Sequence, residues 1–295
     1  MDPRMRKRPS QVRSRTTVTS ILEAADRILR ADGYDAASTN RVARVAGFSV
    51  GSLYQYFRDK QAIVGALIDR EMTAEAELAR ELIERAAART PRELAEAVFG
   101  ELVARRAARA HLYRTLDAHA AELCDGSVLD HVVSAQASTL SDALQRVSAQ
   151  LLPRSARSID ARVFVLSRTA LSAAFGLAVD APAGVTAASL AAAYAAAVEL
   201  YVDGKPPSAS AVTLALSWAK PMGGGQLGAE VRGRRRREAR GVLLGAGVDA
   251  QRLEPAVLLL ASIAEVAQAT AQPPYGTAQE DLLHEVARFA EALGV

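Results

Sequence analysis

The sequence has one cysteine, few aromatic residues and no cluster of strand-forming residues. Because Cys124 is the only cysteine, no disulfide can form within the chain, and a small domain held together by disulfides is excluded. Aromatic residues make up 5% of the chain and hydrophobic residues 50%, and much of the apolar content is alanine. Alanine loses no side-chain entropy in a helix. The composition therefore predicts an all-α protein with a sizeable core.

No secretory leader or membrane anchor is evident from the sequence. The residues after Met1 are not followed by the apolar segment of a signal peptide. No window is expected to approach the ~18–20 apolar residues that cross a bilayer. We therefore expect a cytoplasmic protein with no membrane partner.

The net charge of +3 is unevenly distributed along the chain. Residues 1–15 and residues 232–240 each carry a net +5, residues 16–60 carry +1, and the remainder carries −8. Two basic segments on an acidic body favour a polyanionic partner. For the charge runs alone, a disordered arm and a solvated helix face are the simpler interpretation.

Glycine and proline breaks divide the chain into predicted helices. The arm 1–15 is expected to be disordered, and a capping-box pattern from Ser20 to Glu23 predicts the start of the first helix. Further helical patterns cover 72–89, 91–109, 110–123, 127–151, 156–179, 187–202, 229–243, 254–270 and 278–293. The predicted segments are a basic arm at 1–15, an N-terminal domain at 16–62, a helical body at 63–203, a linker at 204–228 and a helical C-terminal extension of unknown role at 229–295. If the linker is correct, a chain lacking 221–295 should still fold.

Two short apolar-faced helices joined by a glycine turn are predicted within residues 38–57. The first opens at Ser38/Thr39 and ends at Gly47, and the second is capped by Ser49. Such a pair is the sequence form of a helix-turn-helix, whose second helix enters the DNA major groove. Asp59 is predicted to cap the helix that follows.

Four side chains after this turn suggest contact with a polyanion. With Leu53 and Phe57 four residues apart on the inner face, Tyr54, Gln55 and Tyr56 must point largely outward. Tyrosine hydroxyls can donate to phosphate oxygens. Lys60 lies in the first turn of a helix, where the macrodipole disfavours a cation, and a bound phosphate would remove that conflict.

Residues 38–60, STNRVARVAGFSVGSLYQYFRDK, resemble the signature of the TetR/AcrR family. The resemblance covers roughly residues 19–68. It includes the turn Ala46-Gly47-Phe48-Ser49, Gly51, Leu53-Tyr54, Tyr56-Phe57 and Lys60. It implies base contacts from Asn40, Val50, Ser52 and Gln55, where the amides can pair with adenine and the valine can pack on a thymine methyl. Phosphate contacts are expected from Thr39, Ser49, Gly51, Tyr54, Tyr56 and Lys60.

The resemblance also implies a function for the body. It implies an all-α fold with a three-helix DNA-binding head and a body, 63–203, that binds a small-molecule effector and holds a homodimer. The protein would then be a repressor released from a palindromic operator. The alternative is an architectural or adaptor DNA-binding protein with a purely structural body. An apolar cavity between helices 72–151 would favour the repressor.

The helices at 156–179 and 187–202 are the predicted dimer interface. Both place small residues between large apolar ones, so a partner helix can approach closely. The alternative is that both helices form the core of a single subunit.

Other patterns carry weaker signals. Gly223, Gly225 and Gly228 fit G-x-G-x-x-G, but no predicted strand precedes them, so a flexible linker is favoured over a dinucleotide site. His111, His119, Cys124 and His131 have no metal-site spacing. No nucleophile–base constellation stands out either, so we expect no enzyme activity, no cofactor and no metal.

Overall fold

The computed structural model describes residues 12–86, 90–123, 142–145, 159–202, 206–218, 229–269 and 278–295. These residues form helices and contain no strand, which confirms the all-α class. The helices are α1 Val12–Asp32, α2 Thr39–Ala46, α3 Val50–Tyr54, α4 Lys60–Arg85, α5 Pro91–Ala108, α6 Ala110–Ala118, α7 Ala120–Leu123, α8 Ile159–Asp180, α9 Ala187–Val202, α10 Ala209–Trp218, α11 Ala229–Gly245, α12 Ala250–Ala269 and α13 Gln279–Ala292. Residues 142–145 are also helical.

The chain divides into two compact units. The first lies within Met1–Glu75 and Arg109–Gln136, and the second within Ala76–Ala108 and Ala137–Val295. The first unit is built on α1, which packs against α2 and α6. One face of α1 is buried, as its period predicts, through Ile21, Leu22, Ala24, Ala25, Ile28 and Leu29.

Helix α1 begins earlier than predicted. It starts at Val12, so the expected cap at Ser20 lies inside the helix, and residues 12–15 of the expected disordered arm are helical. Arginine is a good helix former, so the basic sequence before Thr16 continues the helix instead of ending it. Residues 1–11 lie outside the described residues.

Two further helix boundaries differ from the prediction. The helix capped by Asp59 and the helix expected at 72–89 form one continuous helix, α4, since no proline interrupts 60–85. The single helix expected at 110–123 is divided at His119 into α6 and α7.

The second unit has a core shared by early and late helices. Helix α9 packs against α5, and α12 and α13 both pack against α8 and α9. The expected linker 204–228 contains α10, which packs on α13. Helix α12 contributes Leu258, Leu259, Leu260, Ile263 and Val266 to the core. A helix that is apolar nearly all round needs burial on several sides. Helices α12 and α13 are therefore part of the core of this unit and do not form a separate extension.

The apolar faces of α8 and α9 are covered within the chain itself. Leu190, Tyr194 and Tyr201 are at most 5% exposed, and Ala173 and Ala195 are fully buried. The alternative interpretation of these helices, the core of a single subunit, accounts for this burial. Helices α12 and α13 occupy the sides that the dimer prediction left open for a partner.

Helix α8 corrects the expectation that no window approaches a membrane span. Its segment Asp160–Asp180 is long and apolar enough by length and composition, with a mean hydropathy of 1.5. However, 67% of that window is buried inside the fold, and the core helices of many proteins meet the same criterion. The finding is therefore weak evidence for a span.

Candidate DNA-binding site

Backbone geometry fixes helix α2 and the turn that follows it. Ser38 is the N-cap residue, and its side chain accepts a hydrogen bond from the N–H of Arg41 at 3.3 Å. Thr39 is the first helical residue, not the cap. Gly47 closes the helix with a φ of 77°, in the left-handed region that glycine adopts without strain. The predicted turn is therefore present.

Helix α3 has the predicted cap and the predicted orientation. Ser49 accepts a hydrogen bond from the N–H of Ser52 at 3.1 Å. Leu53 and Phe57 are fully buried. Tyr54 and Gln55 are exposed, while Tyr56 is half-buried. Because the inner face of α3 is occupied by these two apolar anchors, its polar residues are left for a partner.

Thr39 and Tyr54 connect the two short helices on the outside. The Oγ1 of Thr39 lies 3.2 Å from the hydroxyl of Tyr54. In such a pair one hydroxyl donates to the other, and the accepting hydroxyl keeps its own proton for an outside acceptor. The pair can therefore donate to a phosphate oxygen while holding α2 and α3 in register.

The electrostatic conflict at Lys60 is relieved inside the protein. Its Nζ lies 3.8 Å from the centroid of the Tyr34 ring, a cation–π contact. Asp59 caps the same helix, accepting from the N–H of Ala62 at 2.7 Å. Lys60 therefore does not require a phosphate to explain its position, although its half-buried side chain is still accessible.

Tyr34 is a site residue that the sequence did not point to. It is buried, and its ring stacks on His119 at 4.0 Å between centroids. Burial, together with the nearby carboxylate of Glu122, raises the pKa of Tyr34 to about 12. The hydroxyl therefore stays neutral, and its ring holds Lys60 next to the helix-turn-helix. No sequence pattern near Tyr34 indicates this role, because its contact with Lys60 forms only when the chain folds.

The predicted contact residues all keep some exposure. Asn40, Ser49, Gly51, Tyr54 and Gln55 are exposed, and Thr39, Val50, Ser52, Tyr56 and Lys60 are half-buried. A Cβ built on Gly51 would meet only Ser49 Oγ, at 4.0 Å. The fold itself therefore does not require glycine at this position.

Two of the four candidate metal-ligand residues have other roles. His111 Nε2 lies 2.8 Å from Asp26 Oδ1, and His119 stacks on Tyr34. Cys124 and His131 lie outside the described residues. Within the part of the chain that the structure covers, no group of three or more His, Cys, Asp or Glu could hold a metal.

Asp26 connects α6 to α1. It accepts from Arg109 Nη1 at 2.9 Å in addition to its contact with His111. Burial opposes ionisation of Asp26, but the His111 hydrogen bond and the Arg109 charge outweigh it and lower the pKa of this carboxyl. The ionised form therefore stabilises the first unit above the ordinary pKa of 3.8, and this stabilisation is lost as the pH falls through the lowered value.

Asp26→Asn should loosen the first unit at pH 7 by about 1–2 kcal/mol, since it removes the charge from two hydrogen bonds. Hydrogen exchange of amides in α1 and α6 measures this effect locally. The difference from wild type should shrink as the pH falls below about 3.8. The control is Asp32→Asn, whose exposed pair with Arg41 should contribute at most about 1 kcal/mol. Equal exchange in the two variants would contradict the role of Asp26.

The head contains a helix-turn-helix closed by a glycine, and the second helix of this motif presents an accessible polar surface. These features define a helix-turn-helix DNA-binding protein. Residues 21–67 match the sequence profile of the bacterial regulatory proteins of the tetR family. The head is therefore similar to the DNA-binding domain of that family.

Solved structures show a related fold over about two thirds of the chain. The fatty acid degradation regulator FadR from Bacillus halodurans is 15% identical, with a TM-score of 0.51, and the match covers 65% of this chain and 96% of that one. A proposed TetR-family transcriptional regulator from Mesorhizobium loti is 16% identical, with a TM-score of 0.52, covering 64% and 95%. No curated protein matches the chain significantly.

Proposed function

We propose that this protein is a TetR-family repressor that binds a palindromic operator as a homodimer and is released by a small-molecule effector. The observation that carries the DNA-binding part is the arrangement of α3. Leu53 in this helix and Phe57 just after it are fully buried, while the polar side chains and the backbone at Gly51 stay accessible. In this proposal Asn40, Val50, Ser52 and Gln55 contact base edges, and Thr39, Ser49, Tyr54, Tyr56 and Lys60 contact the phosphate backbone.

Gly51→Ala tests whether glycine at this position is required for DNA binding although it is not required for folding. The methyl group enters open space, so the head should keep its stability or gain about 0.5–1 kcal/mol from the better helix former. We expect DNA affinity to fall about tenfold or more for all sequences, because the α3 backbone can no longer approach a phosphate closely. Fluorescence anisotropy with labelled duplexes measures the affinity.

The matched control is Gly100→Ala in α5, where a Cβ would make only an ordinary 3.8 Å contact with Ala191. This variant should bind DNA as the wild type does. If Gly51→Ala also binds normally, the backbone at Gly51 does not approach DNA and the proposed docking is wrong.

Gln55→Ala tests base recognition and the operator together. Selection of random duplexes by the purified protein, followed by sequencing, should give a palindrome for the wild type. The variant should relax the preference at one position in each half-site, at about 1–3 kcal/mol for a lost bidentate contact. Arg70→Ala, which removes an exposed charge on α4, should leave the selected sequence unchanged. An unchanged sequence in Gln55→Ala would remove Gln55 from the set of base-reading residues.

A homodimer is proposed because one head recognises too few base pairs. A single recognition helix cannot select one site among ~10⁶ or more competitors, and two linked heads multiply the specificity. The apolar faces of α8 and α9 are covered within the chain, so a dimer through 156–202 would have to use their remaining surface, where Leu200 is 57% exposed. Sedimentation of the free protein and of its operator complex tests the dimer.

The effector is proposed from the family alone. The cavity expected between helices 72–151 stays a prediction and does not carry the argument. If ligand screening finds no compound that changes operator affinity, the alternative of a purely structural body is favoured.

A further inference from the structure

A groove of about 690 Å³ opens in the second unit between α11, α12 and the α8–α9 connection. This volume is in the range of small-molecule sites. Its lining residues are Pro182, Ala183, Gly184, Gly233, Arg236, Arg237, Arg240, Glu254, Val257 and Leu258. Most of them come from α11 and α12, helices beyond the segment in which an effector cavity was expected. The groove is therefore distinct from the DNA-binding surface and from the cavity expected between helices 72–151.

Cations outnumber carboxylates at this groove. Arg232 and Arg236 share a single carboxylate, that of Asp180, with Arg232 Nε at 2.9 Å and Arg236 Nη1 at 2.8 Å from Oδ2. Arg240 forms a bidentate ion pair with Glu254. Arg237 also lines the groove and is exposed. Three arginines (Arg236, Arg237 and Arg240) and one carboxylate (Glu254) line the groove itself, which leaves its lining with an excess of two positive charges.

The spacing of these arginines is unfavourable for the helix itself. Arg232, Arg236 and Arg240 lie four residues apart along α11, and like charges at this spacing destabilise a helix. Asp180 and Glu254 only partly offset the repulsion. An anion in the groove would complete the neutralisation, and the planar fork of arginine suits a carboxylate or phosphate.

The rest of the lining indicates what else the ligand carries. Pro182, Val257 and Leu258 supply apolar surface beside the arginines. On the α11 side, Gly233 leaves space next to Arg237, since a Cβ there would meet Arg237 Nη1 at 3.7 Å. The groove is cationic along α11 and largely apolar along α12. It therefore fits a molecule with an oxyanion at one end and an apolar group at the other.

We propose that this groove binds a small organic anion, with its oxyanion on Arg236 and Arg237 and its apolar part against Pro182, Val257 and Leu258. The proposal goes beyond the proposed function, and its test uses no DNA. A failure of repression and a failure of this site are therefore separate results.

The test uses matched ligands with the full-length protein. 2-Naphthoate, 2-naphthyl phosphate and neutral 2-naphthamide share one apolar group and differ in the head group, and calorimetry measures their affinities. We expect saturable binding of at least one of the two anions, and the tighter one identifies the oxyanion. The amide should bind at least about tenfold more weakly, because hydrogen bonds to charged groups are worth about that factor or more.

Three variants localise the binding. Arg237→Ala should weaken the anion about tenfold, and Gly233→Leu should abolish binding by filling the groove while α11 remains a helix. Arg234→Ala removes the same charge from α11 at a residue paired with Glu238 and outside the groove, so it should bind as the wild type does. Circular dichroism confirms that each variant is folded. The proposal is overturned if neither anion binds, if the amide binds equally, or if folded Arg237→Ala and Arg234→Ala bind alike.

Discussion

A chain lacking residues 221–295 is expected to lose the folded second unit. Helices α11 to α13 contribute fully buried side chains to its core, including Leu243, Leu259, Leu260, Ile263 and Phe289. Burial of each such side chain contributes about 1.5–3 kcal/mol. Their combined loss, about 7–15 kcal/mol for these five side chains, is as large as the roughly 5–15 kcal/mol by which a folded domain is normally stable. This expected result is the opposite of the one predicted from the linker-like composition of 204–228.

Circular dichroism and thermal unfolding of the truncated chain measure the effect. We expect reduced helix content, no cooperative transition from the second unit, and aggregation through the uncovered faces of α8 and α9. The control adds residues 221–295 back as a separate polypeptide, which should restore part of the helix content if the loss reflects missing packing. A truncated chain with a wild-type transition would show that α11 to α13 are dispensable for the core.

Glu285→Gln is expected to destabilise the second unit by about 3–5 kcal/mol. Glu285 is buried and pairs with two buried arginines, Arg288 at 3.0 Å and Arg162 at 3.5 Å. It also accepts a 2.6 Å hydrogen bond from the hydroxyl of Tyr201. The neutral amide would leave both cations uncompensated in a low-dielectric core. Burial is the largest cause that raises the pKa of Tyr201 well above its ordinary value, and it persists in the variant, so we expect this phenol not to supply the lost charge.

Calorimetric unfolding should show the second unit melting about 6–20 °C lower in this variant, at 2–4 °C per kcal/mol. The matched control is Glu238→Gln, which breaks an exposed pair with Arg234 and should cost at most about 1 kcal/mol. Replacing Arg162 with Met in the Glu285→Gln background should recover part of the loss, because it removes one unpaired buried cation. Equal melting temperatures for the two glutamine variants would mean that Glu285 carries no special stability.

The turn and caps of the helix-turn-helix could be predicted because their determinants are local. The caps at Ser49 and Asp59 and the left-handed Gly47 are set by neighbours within a few positions. The burial of Leu53 and Phe57 follows from their four-residue spacing, and it forces the tyrosines outward. The match of 21–67 to the family profile covers this same part of the chain.

The second unit could not be predicted in this way because its contacts are distant in sequence. Alanine-rich helices such as α9 are apolar nearly all round, and that pattern fits a subunit interface and a subunit core equally well. Which of the two applies depends on whether later helices of the same chain cover the exposed sides, and α12 and α13 do. No local sequence pattern predicts the contact of Lys60 with Tyr34 or that of Tyr201 with Glu285.

The late position of α12 and α13 has a consequence for how the protein is made. The core that α8 and α9 share with them cannot be completed until the last residues of the chain have left the ribosome. At ~5–20 residues per second, synthesis of the segment after Val202 takes about 5–20 s. During that interval α8 and α9 expose apolar surface that chaperones recognise. The head needs none of this segment, so we expect it to fold during translation, well before the second unit.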